Sequence, residues 1–119
     1  MREFAKFSPQ FWINESGRKI KKLGLETQLI SIYLLTNPHA TMIGIYYLPV
    51  AFIAHETGIS YEGTLKGLQS LIEINFCSYD EVKEYVWVHD LALEQVGAQL
   101  KANDNRIKSW IRKVTNDDS

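Results

Sequence analysis

Apolar residues recur at helical spacing between Leu25 and Leu35. The residues of this stripe are Leu25, Leu29, Ile32 and Tyr33. Gly24 stands before the run and Asn37-Pro38 follow it, and residues of these types commonly bound a helix. The pattern therefore predicts a helix over 25–35 with this stripe as its apolar face.

Two more helices with a tight turn between them are predicted in the next segment. The first begins near Pro49, which suits an initial helical turn, and ends at Gly58. Ser60 can cap the second, which covers 61–74, and Asn75 is suited to the left-handed position that ends it. The apolar stripe of this second helix consists of Leu65, Leu68, Leu71 and Ile72.

Three short runs are rich in aromatic and β-branched residues and predict strands. The first is Gly44–Leu48, which Pro49 stops. The other two, Phe76–Tyr79 and Tyr85–His89, flank the polar turn Asp80–Glu84 and so predict a β-hairpin.

The two ends of the chain are predicted to add to this arrangement. Residues 4–13 are predicted to form an extended or irregular arm, and its aromatic side chains are predicted to pack on the domain. These aromatic residues are Phe4, Phe7, Phe11 and Trp12. Two further helices are predicted over 90–101 and 104–115. The last has an apolar face of Ile107, Trp110, Ile111 and Val114, with Arg106, Lys108, Arg112 and Lys113 away from it.

The order helix, strand, helix, tight turn, helix, hairpin is that of a winged helix-turn-helix. We therefore predict a mostly helical α+β fold with a winged helix-turn-helix domain and amino-terminal arm over 1–90. Residues 91–119 are predicted to form a helical extension that serves dimerisation.

Several runs of the sequence also carry a family resemblance. The runs are Phe11-Trp12, Leu34–His39, Gly44–Pro49, Ile53-Ala54, Phe76–Asp80 and Val86–Val88. They resemble the amino-terminal domain of phage and prophage replication-organiser proteins, over roughly residues 8 to 90. The resemblance implies a winged-helix domain that recognises DNA, often self-associates, and is often followed by a region that binds a helicase or its loader.

Composition limits the classes to which the chain can belong. Its 119 residues, of which 45% are apolar, suffice for one buried core and exclude a disordered chain. The longest weakly charged stretch, Thr27–Ile53, is too polar to span a bilayer. The single cysteine, Cys77, cannot form an internal disulfide and favours a reduced, cytoplasmic compartment.

Taken alone, the formal net charge of −1 disfavours nucleic acid as a partner, but the charges are unevenly placed along the chain. The ends of the chain are basic and the middle is acidic. The basic residues near the two ends that could contact phosphate are Arg18, Lys19, Lys21, Lys22, Arg106, Lys108, Arg112 and Lys113. Solvated faces are the alternative interpretation of both clusters.

If the domain reads double-stranded DNA, helix 61–74 should enter the major groove. The candidates to face bases are Ser60, Tyr61, Lys66, Gln69 and Ser70. Few of these side chains can donate hydrogen bonds to bases, and the acidic turn Asp80–Glu84 would repel phosphate. Binding with several phosphate contacts would weaken steeply as salt rises.

A protein-interaction module is the alternative from another functional class. Leu65 and Ile72 either widen the core stripe of their helix or meet another protein, such as a second copy. Ile107, Trp110 and Ile111 would otherwise be exposed, and they pack either on Phe11 and Trp12 of the arm or on the same helix of a second copy. We predict a homodimer, with replication proteins as further partners.

No constellation for catalysis is evident, and we predict a protein that is not an enzyme and has no cofactor, metal site or small-molecule substrate. His39, His55 and His89 have no neighbouring ligands at metal-binding spacing, so surface or capping roles are expected. Cys77 is expected in the core, as are Tyr46, Tyr47 and Trp87, unless Tyr47 is exposed for a contact.

Overall fold

The computed structural model of the protein describes residues 3–41 and 43–89. Over this part of the chain the fold is α+β. It contains a short 3-10 helix (Pro9–Trp12), the helices α1 (Glu15–Lys22), α2 (Leu25–Thr36), α3 (Val50–Thr57) and α4 (Tyr61–Glu73), and the strands β1 (Ile45–Tyr47), β2 (Cys77–Asp80) and β3 (Tyr85–Val88). The helices predicted over 90–101 and 104–115 lie outside the described residues.

The segment before α2 is more ordered than the sequence predicts. Ser8 caps the 3-10 helix, and Asn14 caps α1 by accepting a hydrogen bond from the Gly17 amide. Of the four aromatic side chains predicted to pack on the domain, Phe11 is buried and Phe7 packs beside it. Trp12 is 56% exposed but contacts the rings of Phe7 and Phe11 edge-on. The prediction is wrong for Phe4, which is 84% exposed.

Helix α2 has the predicted bounds but a different buried face. Leu25 and Leu29, two of the four predicted stripe residues, are exposed to 83% and 43%. The buried side chains of α2 are Thr27, Ile30, Ser31, Leu34 and Leu35. The rotation follows from α4, where the buried Gly67 brings the two helices close: a Cβ there would lie 2.5 Å from Ile30 Cδ1.

The turn between α3 and α4 forms as predicted. Gly58 adopts the left-handed conformation at φ 82°, which is costly for residues with a Cβ. Ile59 is buried, and the Ser60 hydroxyl accepts a 3.0 Å hydrogen bond from the Gly63 amide, capping α4. Asn75, at φ 67°, follows α4 in the predicted left-handed conformation.

The three described strands form an antiparallel sheet in the order β1-β3-β2. One face packs on the core through Tyr46, Cys77, Val86 and Val88, all nearly inaccessible to solvent. The core prediction for Tyr46 and Cys77 is thus confirmed. On the other face of the sheet, Tyr47 pairs with Tyr85 and Trp87 pairs with Ile45. The side chain of Tyr47 is 49% exposed. The core prediction is therefore wrong for Tyr47.

No helix among the described residues is long and apolar enough to cross a membrane.

Candidate functional site

Helix α4 presents an exposed face with mixed chemistry. Its solvent-exposed residues are Tyr61, Glu62, Leu65, Lys66, Gln69 and Glu73. The face therefore holds one base against two acids. The stripe residues Leu68 and Leu71 point inward and are buried, as their spacing predicts.

The five candidate base-facing residues do not share one surface. Tyr61 and Gln69 line a groove between α4 and the hairpin, whereas Lys66 and Ser70 line a cleft between α4 and the start of α2. The hydroxyl of Ser60 is engaged in the helix cap. Ser60 therefore acts first as a structural residue, since its oxygen already accepts the Gly63 amide.

The cleft between α2 and α4, which we call the α2–α4 cleft, has a volume of about 270 Å³. Its lining includes Leu23, Glu26, Gly63, Lys66 and Ser70. Leu23 directly follows Lys22, the last residue of α1, so the basic end of α1 adjoins the cleft. The cleft itself also contains the carboxylate of Glu26.

The amino-terminal basic cluster lies on α1. Arg18, Lys19, Lys21 and Lys22 are all exposed. Lys19 forms an exposed ion pair of 3.3 Å with Glu15 one turn earlier, and such pairs add little stability. The other candidate phosphate contacts, Arg106, Lys108, Arg112 and Lys113, lie outside the described residues.

The groove between α4 and the hairpin, which we call the α4–hairpin groove, has a volume of about 330 Å³. Apolar and aromatic side chains line part of it beside the amide of Gln69, namely Val50, Ala51, Tyr61, Leu65, Leu68, Ile72 and Tyr79. Two carboxylates, Glu81 and Glu84, stand at its hairpin side, and none of the described lining residues is basic. The groove can therefore receive apolar side chains next to positive charge.

The two apolar residues singled out on α4 both line this groove, with different exposures. Ile72 is half-buried and packs on the core, so it does widen the core stripe. Leu65 is 44% exposed and leaves an apolar surface open to the groove. The remaining interface candidates, Ile107, Trp110 and Ile111, lie outside the described residues.

A polar cluster joins α2, the following loop and α3, and the sequence gives no sign of it. The Tyr33 hydroxyl donates a 2.7 Å hydrogen bond to Glu56 Oε1, and His39 Nε2 lies 2.8 Å from Glu56 Oε2. The hydrogen bond from Tyr33 and the nearby His39 lower the pKa of Glu56, with partial burial opposing them. Burial and the Glu56 carboxylate raise the pKa of Tyr33 well above its usual range.

His89 is buried and bonds a backbone carbonyl, so of the two roles expected for it the structure agrees with capping and not with a surface position. It is 6% exposed, with Nδ1 2.7 Å from the Asn75 carbonyl oxygen and Nε2 2.9 Å from the Ser78 hydroxyl. Nδ1–H must donate to the carbonyl, which leaves Nε2 of the neutral ring to accept from Ser78. His89 thus ties the end of β3 to the chain that follows α4.

Neither a metal centre nor a reactive thiol is found in the part of the chain that the structure describes. No group of three or more His, Cys, Asp or Glu side chains there is placed to hold a metal ion. Burial raises the pKa of Cys77 to about 12, so this thiol stays protonated near neutral pH.

Comparisons with known proteins add no assignment: no family model, no curated protein and no solved structure matches the chain.

Proposed function

We propose that the chain is a winged helix-turn-helix protein that binds double-stranded DNA, without enzymatic activity, in the cytoplasm. The proposal places it in replication initiation, as the resemblance to phage replication-organiser domains implies, or in transcriptional control. In this proposal α3 and α4 are the helix-turn-helix, α4 is the recognition helix, and the β2–β3 hairpin is the wing.

The observation that carries the proposal is the combination of the turn and the sheet. A left-handed Gly58, a buried Ile59 and the Ser60 cap set α4 against α3. The sheet order β1-β3-β2 then places the hairpin beside α4, as in winged helices. This arrangement supports the proposal that α4 is a recognition helix flanked by the β2–β3 wing.

The basic residues indicate which side would meet phosphate. Lys22 at the end of α1 directly precedes Leu23, which lines the α2–α4 cleft together with Lys66, and Arg18, Lys19 and Lys21 are on the same helix. The hairpin side instead carries Glu81 and Glu84. Phosphates would therefore lie on the α1 side, and the hairpin would contribute little attraction. Arg106, Lys108, Arg112 and Lys113 remain candidates for further phosphate contacts.

Fluorescence anisotropy of a labelled random duplex at several salt concentrations tests this proposal. We expect binding at low salt with a steep slope of log affinity against log salt, and the Lys21→Ala/Lys22→Ala variant should lower that slope by up to about 2. The matched control is Lys6→Ala, an exposed base outside α1. Absence of binding at low salt would reject DNA as the partner.

A protein-interaction module is the second candidate function. It is favoured by the α4–hairpin groove, where apolar residues such as Leu65 stand beside acidic residues, at the position where a DNA-contacting face would be basic. Self-association into a homodimer belongs to this candidate, and light scattering at micromolar concentration measures it: a monomeric mass contradicts the dimer.

A further inference from the structure

The α4–hairpin groove has a specific chemical requirement. Leu65 and Tyr61, which line it, are 44% and 55% exposed to solvent. Burial of such apolar surface by a binding partner would lower the free energy. Glu81 and Glu84 add negative charge along one side. An occupant that satisfies both must carry apolar and basic residues close together.

One segment of this chain has that composition. Residues 104–115 have Ile107, Trp110, Ile111 and Val114 at the spacing of a single helix face. At helical spacing Arg106, Lys108 and Lys113 come to the sides of that face and Arg112 lies opposite it. A helix laid in a groove uses such i, i+3, i+4 and i+7 anchors. A groove of about 330 Å³ accepts a few side chains from one helix face and not a whole helix.

We propose that the α4–hairpin groove is the docking site of residues 104–115 of the same chain, with the apolar residues of the segment against Leu65 and Ile72 and its bases next to Glu81 and Glu84. Charge complementarity and the position of the chain at His89 carry this inference. It stands independently of DNA binding.

The described chain ends within reach of the groove. His89 contacts the hydroxyl of Ser78, and the next residue of β2, Tyr79, lines the groove from the opposite face of the sheet. Residues 90–103 connect His89 to the segment, and a chain of that length can reach roughly 45 Å when extended. Tethering over so short a connection gives an effective concentration on the order of millimolar, which favours the chain's own segment over one from a second copy.

Docking in this way would cover part of the proposed recognition face. Tyr61 and Gln69, two of the candidate base-facing residues, line the groove. The basic residues of the segment would then have two alternative anionic partners, namely Glu81 and Glu84 or the phosphates of a bound duplex.

Disulfide trapping in the full chain tests the proposal. The variant Leu65→Cys/Ile111→Cys is oxidised at low protein concentration, and Leu25→Cys/Ile111→Cys is the matched control, because Leu25 is an exposed leucine that lines the α2–α4 cleft on the other side of α4. The native Cys77 is 1% exposed and does not compete. If Leu65→Cys impairs folding, Gln69→Cys provides a second position in the groove.

We expect an intramolecular disulfide to form about tenfold faster in the groove variant than in the control, consistent with a tethered site. Adding Glu81→Lys and Glu84→Lys, or raising the salt concentration, should slow the reaction several-fold. Equal rates in the two variants would overturn the proposal. Disulfide-linked dimers that increase with protein concentration would also overturn it, because they would show that a second copy occupies the groove.

Discussion

The hydroxyl of Tyr33 donates a 2.7 Å hydrogen bond to Oε1 of Glu56, which joins α2 to α3 across 23 positions of sequence. The same carboxylate contacts His39 in the loop between the two helices. Glu56 thus connects α3 to α2 and to the loop that follows α2.

Removing this hydrogen bond should lower stability in a pH-dependent way. We expect Tyr33→Phe to lose about 0.5–1.5 kcal/mol at pH 7, measured by urea unfolding. Because the folded state lowers the pKa of Glu56, its contribution is fully present above the unfolded pKa of the carboxyl group and is lost as pH falls through the folded value.

The difference between the wild type and Tyr33→Phe should therefore shrink between pH 7 and about pH 3, where a carboxyl group becomes protonated. Tyr47→Phe is the matched control, since Tyr47 lies on the half-exposed outer face of the sheet. A difference that stays constant across this pH range would show that Glu56 does not carry the effect.

The close approach of α2 and α4 gives a second prediction. A Cβ at Gly67 would lie 2.5 Å from Cδ1 of the buried Ile30, so Gly67→Ala should destabilise the fold by about 1–3 kcal/mol despite alanine's better helix propensity. Ile30→Val removes the atom that clashes and alone should cost about 0.5–1.5 kcal/mol.

The double variant tests the geometry more sharply than either single change. Since Ile30→Val makes room for the new methyl group, the combined loss should be smaller than the sum of the two single losses. Thermal or urea unfolding of all four proteins measures this coupling. Strict additivity would mean that the two residues do not contact each other.

The cap of α4 gives a third prediction, which separates folding from DNA contact at a residue predicted to face bases. Ser60→Ala should cost about 1 kcal/mol, because it leaves the Gly63 amide without its side-chain acceptor, whereas Ser60→Asn should retain most of the stability. The affinity for duplex DNA at one low salt concentration should be the same for both variants as for the wild type. Weaker binding by both variants, although Ser60→Asn keeps the cap, would assign the hydroxyl to the nucleic acid.

The features that the sequence predicts correctly depend on local signals. Gly58, Ser60 and Asn75 each act on the backbone within a few residues, so the turn and both ends of α4 follow from the chain itself. Strong β-branched and aromatic alternation likewise predicts the hairpin, whose bounds agree closely with β2 and β3.

The features that it misses depend on tertiary packing. In α1 the buried residues are only Gly17 and Ile20, so no apolar stripe is visible and the remaining signal is the Asn14 cap. In α2 the buried face includes Thr27 and Ser31, which an apolar pattern does not identify. That face is selected by Gly67 on another helix.

The same distinction between local signals and tertiary packing holds for the residues of the candidate site. Exposure of Lys66 and Gln69 follows from helical periodicity, and both are exposed as expected. Their separation onto two surfaces depends on where α2 and the hairpin lie, which no local pattern encodes. The Tyr33–Glu56–His39 cluster is likewise created only by folding.

Amide chemical shifts of the uniformly ¹⁵N-labelled full chain, titrated with random duplex DNA at low salt, show which surface of the protein contacts DNA. We expect the largest shifts at Lys21, Lys22 and Lys66, and small shifts at the acidic hairpin tip over 81–84. No shifts at low salt, or shifts confined to the hairpin tip, would contradict DNA binding through α1 and α4.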